Sequence, residues 1–231
     1  MSETSNRRTA LSNASRGRRG GEGKEKRRGT GRTSRGRQTR AQLVEAAKAV
    51  FERDGFLHAR IADICDAAGV SHGSFYTYFV SKEEIFKEVA DAVELDLLTL
   101  EPAPADADPL QRIRAANEHY LRVYRANAKI MKVIHQVATI DAEVRETRLQ
   151  RQDAFARAIE RRIRQLQDAE LADPEVDAGY AAHALGGMVA HFADHLFNTG
   201  NTAGFDLATA TDQLTRIWTN AVGIRDDVTR N

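Results

Sequence analysis

Hydrophobic positions recur at helical spacing along most of the chain, with few β-branched runs to suggest strands. Leu43, Ala46, Ala47, Val50 and Phe51 mark an opening amphipathic helix. Ile61, Ile64 and Ala68 form one apolar face of a second. Gly69 follows directly, where a residue free to adopt the left-handed conformation ends a helix in a sharp turn, and Val70 plugs the corner. Ser71 is an N-cap for a third helix of about two turns, with Phe75 and Phe79 facing inward. Ser81 caps a fourth helix, with Glu84 as its capping-box partner, running to about Leu100.

Five more helices are expected after the Pro/Ala-rich linker 101–109. Pro109 starts the first, which reaches about Asn127 with Leu110, Ile113, Tyr120, Leu121 and Tyr124. The next holds Ile130, Met131, Val133, Ile134 and Val137. A long charged helix from about Asp141 to Glu170 spaces Val144, Leu149, Phe155, Ile159, Ile163 and Leu166 for one buried face. Pro174 opens a helix to about Asn198, and the last spans about Leu207 to Ile224.

The second and third helices have the layout of a helix-turn-helix, whose second helix enters the DNA major groove. That helix carries Ser, His, Thr and two Tyr residues rather than a plain charged face. The candidate DNA contacts within it and beside it are Ser71, His72, Gly73, Ser74, Tyr76, Thr77 and Tyr78. The Tyr hydroxyls suit phosphate oxygens. Lys82 lies at the start of the fourth helix, where backbone N–H groups and the helix dipole already favour a phosphate.

The stretch from Thr39 to about Ala92 resembles the N-terminal domain of the TetR family of transcriptional regulators. The resemblance is carried by Gly55–Phe56, Ile61, Asp63, Ile64, Ala68, Gly69, Val70, Ser71, Gly73, Tyr76, Phe79 and Lys82. It covers about a quarter of the chain. One departure stands out: the family has Thr or Ser two residues before the Ile of the second helix, and this chain has Ala59, then Arg60. Arg60 is the candidate replacement as a phosphate contact.

The resemblance implies an all-α protein: a three-helix helix-turn-helix domain and a larger C-terminal helical domain for ligand binding and dimerisation. The expected boundaries are 1–37 for a disordered basic arm, 38–84 for the DNA-binding domain and 85–227 for the C-terminal domain. A chain of 231 residues with 42% hydrophobic content has room for both. The family pairs its last two helices into a four-helix bundle. Ala181, Ala182, Ala184, Gly186, Gly187 and Ala190 would permit close approach of two copies; the other reading is a kink at Gly186–Gly187 in a core helix. The resemblance also implies an effector pocket, for which Tyr120, Tyr124, Met131, His135, Phe155, Met188 and Phe192 are candidates. Their character suits a hydrophobic small molecule with one or two polar anchors.

Charge changes the picture at the N-terminus. Residues 1–40 hold 13 Lys and Arg against three acidic residues, whereas the remainder holds 21 against 30. An Arg-, Gly- and Ser-rich segment with almost no apolar content cannot offset its ordering entropy. It is read either as a basic arm along the DNA backbone, with Arg35, Arg37 and Arg40 nearest the domain, or as a solubilising tail.

The single Cys, Cys65, excludes an intramolecular disulfide and is expected as a buried, inert thiol. No apolar run approaches the roughly 20 residues of a membrane span, and none follows the basic N-terminus as in a signal peptide. A cytoplasmic protein without membrane association is expected. Phosphate loops, nucleophile elbows and carboxylate pairs in a catalytic setting are missing, so neither an enzyme nor a cofactor is expected. The expected function is a homodimeric, ligand-responsive regulator, most often in this family a repressor, on a palindromic operator. Two other classes stay open: a non-specific DNA-binding protein driven by the basic arm, and a metal sensor using His191 and His195, four apart, with His183 and Asp194.

Overall fold

The computed structural model describes residues 34–99, 107–198 and 205–224. Among these the chain is all helix: α1 (Ser34–His58), α2 (Ile61–Ala68), α3 (His72–Tyr78), α4 (Lys82–Leu98), α5 (Pro109–Ala126), α6 (Ala128–Ile140), α7 (Ala142–Asp168), α8 (Ala178–Asn198) and α9 (Leu207–Ala221). The expected all-α architecture is what the structure has.

The first three helices close around Leu43, Ala47, Val50, Phe51, Ile64, Phe75 and Phe79, each at most 1% exposed. Phe51 and Phe56 pack on Phe86 of α4, with ring centroids 5.1 and 4.8 Å apart. Gly69 has φ +64° at the end of α2, and its N–H and that of Val70 bond back to Asp66 and Cys65. A side chain there would be strained, which is why the turn uses Gly. Gly55, at φ +72°, breaks α1 near its end. Cys65 is 1% exposed, and burial pushes its thiol pKa up, away from a reactive thiolate.

The caps are mostly those read from the sequence. Ser71 Oγ accepts from Ser74 N at 3.2 Å, and Ser81 Oγ from Glu84 N at 3.2 Å. Glu84 reaches back to Val80 N rather than to Ser81 N. Asp108 and Gln111 form a full capping box around Pro109. Arg60, the N-cap of α2, makes no side-chain cap bond.

Three expectations need correction. Helix α1 already begins at Ser34, so Arg35 and Arg37 stand in a helix rather than in an arm; the rest of the arm, 1–33, lies outside the described residues. Pro174 does not open α8. It lies in a turn, and Asp177 starts the helix by accepting from Gly179 N and Tyr180 N. Leu149 is 53% exposed, off the buried face of α7, which uses Val144, Ala156, Ile163 and Leu166.

Helix α4 is continuous across residue 84. Its first half (Ile85, Phe86, Val89) is buried with the N-terminal helices and its second half (Val93, Leu97) with the C-terminal ones, in one connected apolar core. A second, smaller core joins Ile163 of α7, Ala182 and Leu185 of α8, and Trp218 and Val222 of α9.

Candidate DNA-binding surface and effector site

The third helix presents an exposed face. His72, Gly73, Tyr76 and Thr77 are exposed, and Tyr76 is 55% so despite its size. Thr77 Oγ1 donates to Gly73 O at 3.3 Å, and Ser71 Oγ lies 3.0 Å from Ser74 Oγ. These hydroxyls retain acceptor capacity. Tyr78 is half-buried against the core. Arg37 and Arg60 are exposed on α1 and at the start of α2.

Two proposed phosphate contacts are otherwise engaged. Arg40 pairs with Glu88 of α4 and lies 4.8 Å over the Phe79 ring. Lys82 turns back onto the end of α1: its Nζ donates to Phe56 O at 2.8 Å and Ala59 O at 3.1 Å, and stands 4.7 Å from the Phe56 ring centroid. Carbonyls at a helix end lack intrahelical partners, and a Lys ammonium is a fitting donor.

Residues 43–89 match the family of bacterial regulatory proteins, tetR family. Over these residues, the helices around α2 and α3, the chain is similar to that family. A further 28% identity over 123 residues links the chain to the HTH-type transcriptional regulator TtgR of Pseudomonas putida, covering 51% of this chain and 59% of that protein. TcmR of Streptomyces glaucescens, also an HTH-type transcriptional regulator, is 36% identical over 81 residues, 35% of this chain and 36% of that protein. The chain thus matches about three-fifths or less of these relatives' length. In solved structures the likeness is of fold: Salmonella enterica GusR has a TM-score of 0.65 at 19% identity, covering 80% of this chain and 96% of that one. The TetR-family regulator PfmR of Thermus thermophilus has 0.62 at 21%, covering 78% and 98%. The tetR-type helices therefore sit on a C-terminal helical region whose fold is also that of the family's solved members.

Two cavities stand out in that region among the described residues. The larger, about 640 Å³, lies among α5, α7 and α8, with Ile113, Phe155, Ile159, Leu185, Val189 and Trp218 in its wall. The smaller, about 280 Å³, lies where α4 to α8 meet and is lined by Leu97, Met131, Tyr124, His135, Arg148 and Asp194 among others. Tyr120 lines both. Of the seven residues expected to line a pocket, Tyr124, Met131 and His135 border the smaller cavity, Phe155 the larger, and Tyr120 both. Met188 and Phe192 border neither. Met188 packs against both cores, and Phe192 packs edge-to-face on Phe205.

A chain of polar contacts borders the smaller cavity. Arg151 of α7 reaches Asp91 at 2.5 Å and Glu94 at 2.7 Å, both on α4. Arg148, one turn earlier, stands 3.8 Å from Glu94 and donates to His135 Nε2 of α6 at 2.9 Å. A ring nitrogen accepting from Arg leaves Nδ1 to carry the proton, and Nδ1 faces Asp194 of α8 at 3.3 Å. Asp194 also accepts from Tyr124 OH at 2.7 Å and Asn198 Nδ2 at 2.8 Å.

The titration behaviour follows from these contacts. Burial pushes Glu94 up, outweighing the two arginines. Burial, aided by Arg148, pushes His135 down, so the ring is held neutral. Burial would push Asp194 up, but its hydrogen bonds and His135 hold it below the usual carboxylate range. Burial carries Tyr120 up to about 12, and burial with the bond to Asp194 carries Tyr124 higher still.

The sequence reading misses Asp91, Glu94, Arg148, Arg151 and Asn198. One signal is there: Asp91/Glu94 and Arg148/Arg151 have the same three-residue spacing and opposite charge. Among the described residues no group of three or more His, Cys, Asp or Glu is placed to hold a metal. His191 and His195 are exposed, and His183 stands 3.7 Å from Asp153. No described helix is long and apolar enough to cross a membrane.

Proposed function

We propose that this chain is a ligand-responsive transcriptional repressor that binds a palindromic operator as a homodimer. A small, largely apolar effector, bound in the C-terminal region, releases it. One observation carries the reading. Helix α4 runs unbroken from the core behind the exposed α3 face to the polar chain at the smaller cavity. A ligand that favours one arrangement of that chain thereby biases α4, and it can do so only through differential affinity for the two states.

The dimer reading has its own support. Tyr180, His183, Ala184, Gly187 and His191 form an exposed stripe along α8, with Tyr180 83% exposed, and Ile217 is exposed on α9. A Cβ on Gly187 would meet nothing within 4 Å in this chain. Glycine inside a helix costs stability, and although Gly187 borders the smaller cavity no neighbouring atom of the chain excludes a Cβ there; a second copy approaching closely would. Pairing also aligns two recognition helices on a palindrome. By this division the N-terminal helices to about residue 84 read DNA and those beyond serve dimer and effector.

The test is selection of genomic fragments by the purified protein at near-physiological salt, followed by sequencing. A sharp palindromic motif is the expected result. Diffuse recovery that disappears on removal of residues 1–33 would replace this reading with non-specific binding through the basic segment.

A further inference from the structure

The charged groups around the two cavities are committed to very different degrees. In the smaller one Arg151 is held by two carboxylates, and Asp194 receives bonds from Tyr124 and Asn198. Arg148 is the exception. Its nearest carboxylate, Glu94, is 3.8 Å away, and its 2.9 Å bond goes to the neutral ring of His135. If Arg148 took another partner, Glu94 would keep Arg151 at 2.7 Å, and Asp194, which Arg148 does not touch, would keep Tyr124 and Asn198. His135 would lose one bond. A guanidinium whose partners can be replaced at so little cost, beside the apolar Leu97, Leu98 and Met131, is suited to take an anion. The larger cavity favours the same sign: Arg112, Arg122 and Arg162 border it against one carboxylate, Glu118, around an apolar interior.

We infer that the effector is an organic carboxylate. Arg148 holds its head in the smaller cavity, and its apolar body extends past Tyr120 into the larger one. This rests on the reading of the two cavities as the effector site. The carboxylate offers two oxygens to the planar fork of Arg148, which a neutral imidazole nitrogen cannot match. Binding would detach Arg148 from His135 and Glu94, removing one of the links from α7 to α6 and α4.

The full-length protein provides its own probe. Trp218 is the single tryptophan and borders the larger cavity, so its fluorescence reads occupancy. Three ten-carbon probes with one tail and different heads separate the possibilities: decanoate, decanol and decylamine. Decanoate should bind tightest. Arg148→Gln should weaken decanoate by about tenfold to a hundredfold and leave decanol unchanged, while Arg122→Gln at the rim costs less. Arg148→Lys keeps the charge without the fork and should weaken decanoate less than Arg148→Gln, which preserves the test if the Gln variant folds poorly. Decanol or decylamine binding as tightly as decanoate would overturn the anion assignment and leave the effector site standing. So would decanoate binding indifferent to both Arg148 variants. If none of the three alters Trp218 fluorescence, the effector site falls with it.

Discussion

Lys82→Gln separates two roles that sequence position alone conflates. At the N-terminus of α4 a lysine looks like a phosphate contact, yet its ammonium holds the end of α1 through Phe56 O and Ala59 O and lies over the Phe56 ring. A hydrogen bond from a charged donor contributes about 1.5–3 kcal/mol when buried, and a partly exposed cation–π contact about 0.5–1 kcal/mol. Lys82 is only half-buried, so two such bonds and the ring contact together stabilise by about 2–3 kcal/mol. For a chain of this size that is a fall of about 4–12 °C in Tm. Thermal unfolding followed by circular dichroism without DNA measures it. The salt dependence of operator binding gives the second axis: loss of one phosphate contact lowers the slope of log K against log salt by about 0.9. A Lys82→Gln variant with the parent's Tm and a slope lower by that amount would refute the structural role. A lowered Tm with an unchanged slope is the expected result.

Three other outcomes are expected. His72→Ala and Thr77→Ala should change which operator bases are preferred, by about 1–3 kcal/mol at the affected position; equal losses on operator and random DNA in a competition assay would remove them from base recognition. Gly187→Ala should weaken the dimer by about fivefold to a hundredfold, through overpacking of about 1–3 kcal/mol, as measured by sedimentation equilibrium. A variant that dimerises as well as the parent and melts higher would place that stripe outside the interface. His135 is depressed below its ordinary value of 6.5, so the stability its neutral ring contributes is complete above 6.5 and is lost as pH falls through the depressed folded value. The parent should therefore lose more Tm than His135→Gln between neutral and mildly acidic pH, and parallel curves would contradict the burial argument.

What is legible in the sequence is what neighbours in sequence decide. The Gly69 turn, the Ser71 and Ser81 caps and the helix start at Pro109 each depend on residues within four positions, and the structure has all of them. Lys82 misleads because its partners are carbonyls 23 and 26 residues away, delivered by the break at Gly55. Arg148 and Arg151 sit on a helix so rich in charge that they look like part of a solvated face. Only the packing of α4 on α7 shows that they meet a carboxylate, Glu94, that is itself 7% exposed. Pro174 suggests a helix start because proline suits a first turn, but Asp177 offers a side-chain cap and the helix begins there.

The same charges decide how α4 can move. Lys87 pairs with Glu143 near the start of α7, and Asp91 and Glu94, one and two turns further along α4, pair with Arg151 and Arg148. These opposite-sign pairs span about two turns of each helix and hold α4 in its present register on α7. A slide by a turn would break these pairs together. The outer pairs are exposed and individually weak, but Glu94 is buried and cannot be left without a cation at small cost. Small displacements of α4 against α7 are therefore resisted, and larger ones must exchange several partners together. Such a contact has discrete arrangements rather than a continuum. Arg148 is the member of this set that also faces the cavity and binds its own partners loosely, so a ligand acting there changes the pairing at the point where it is easiest to break.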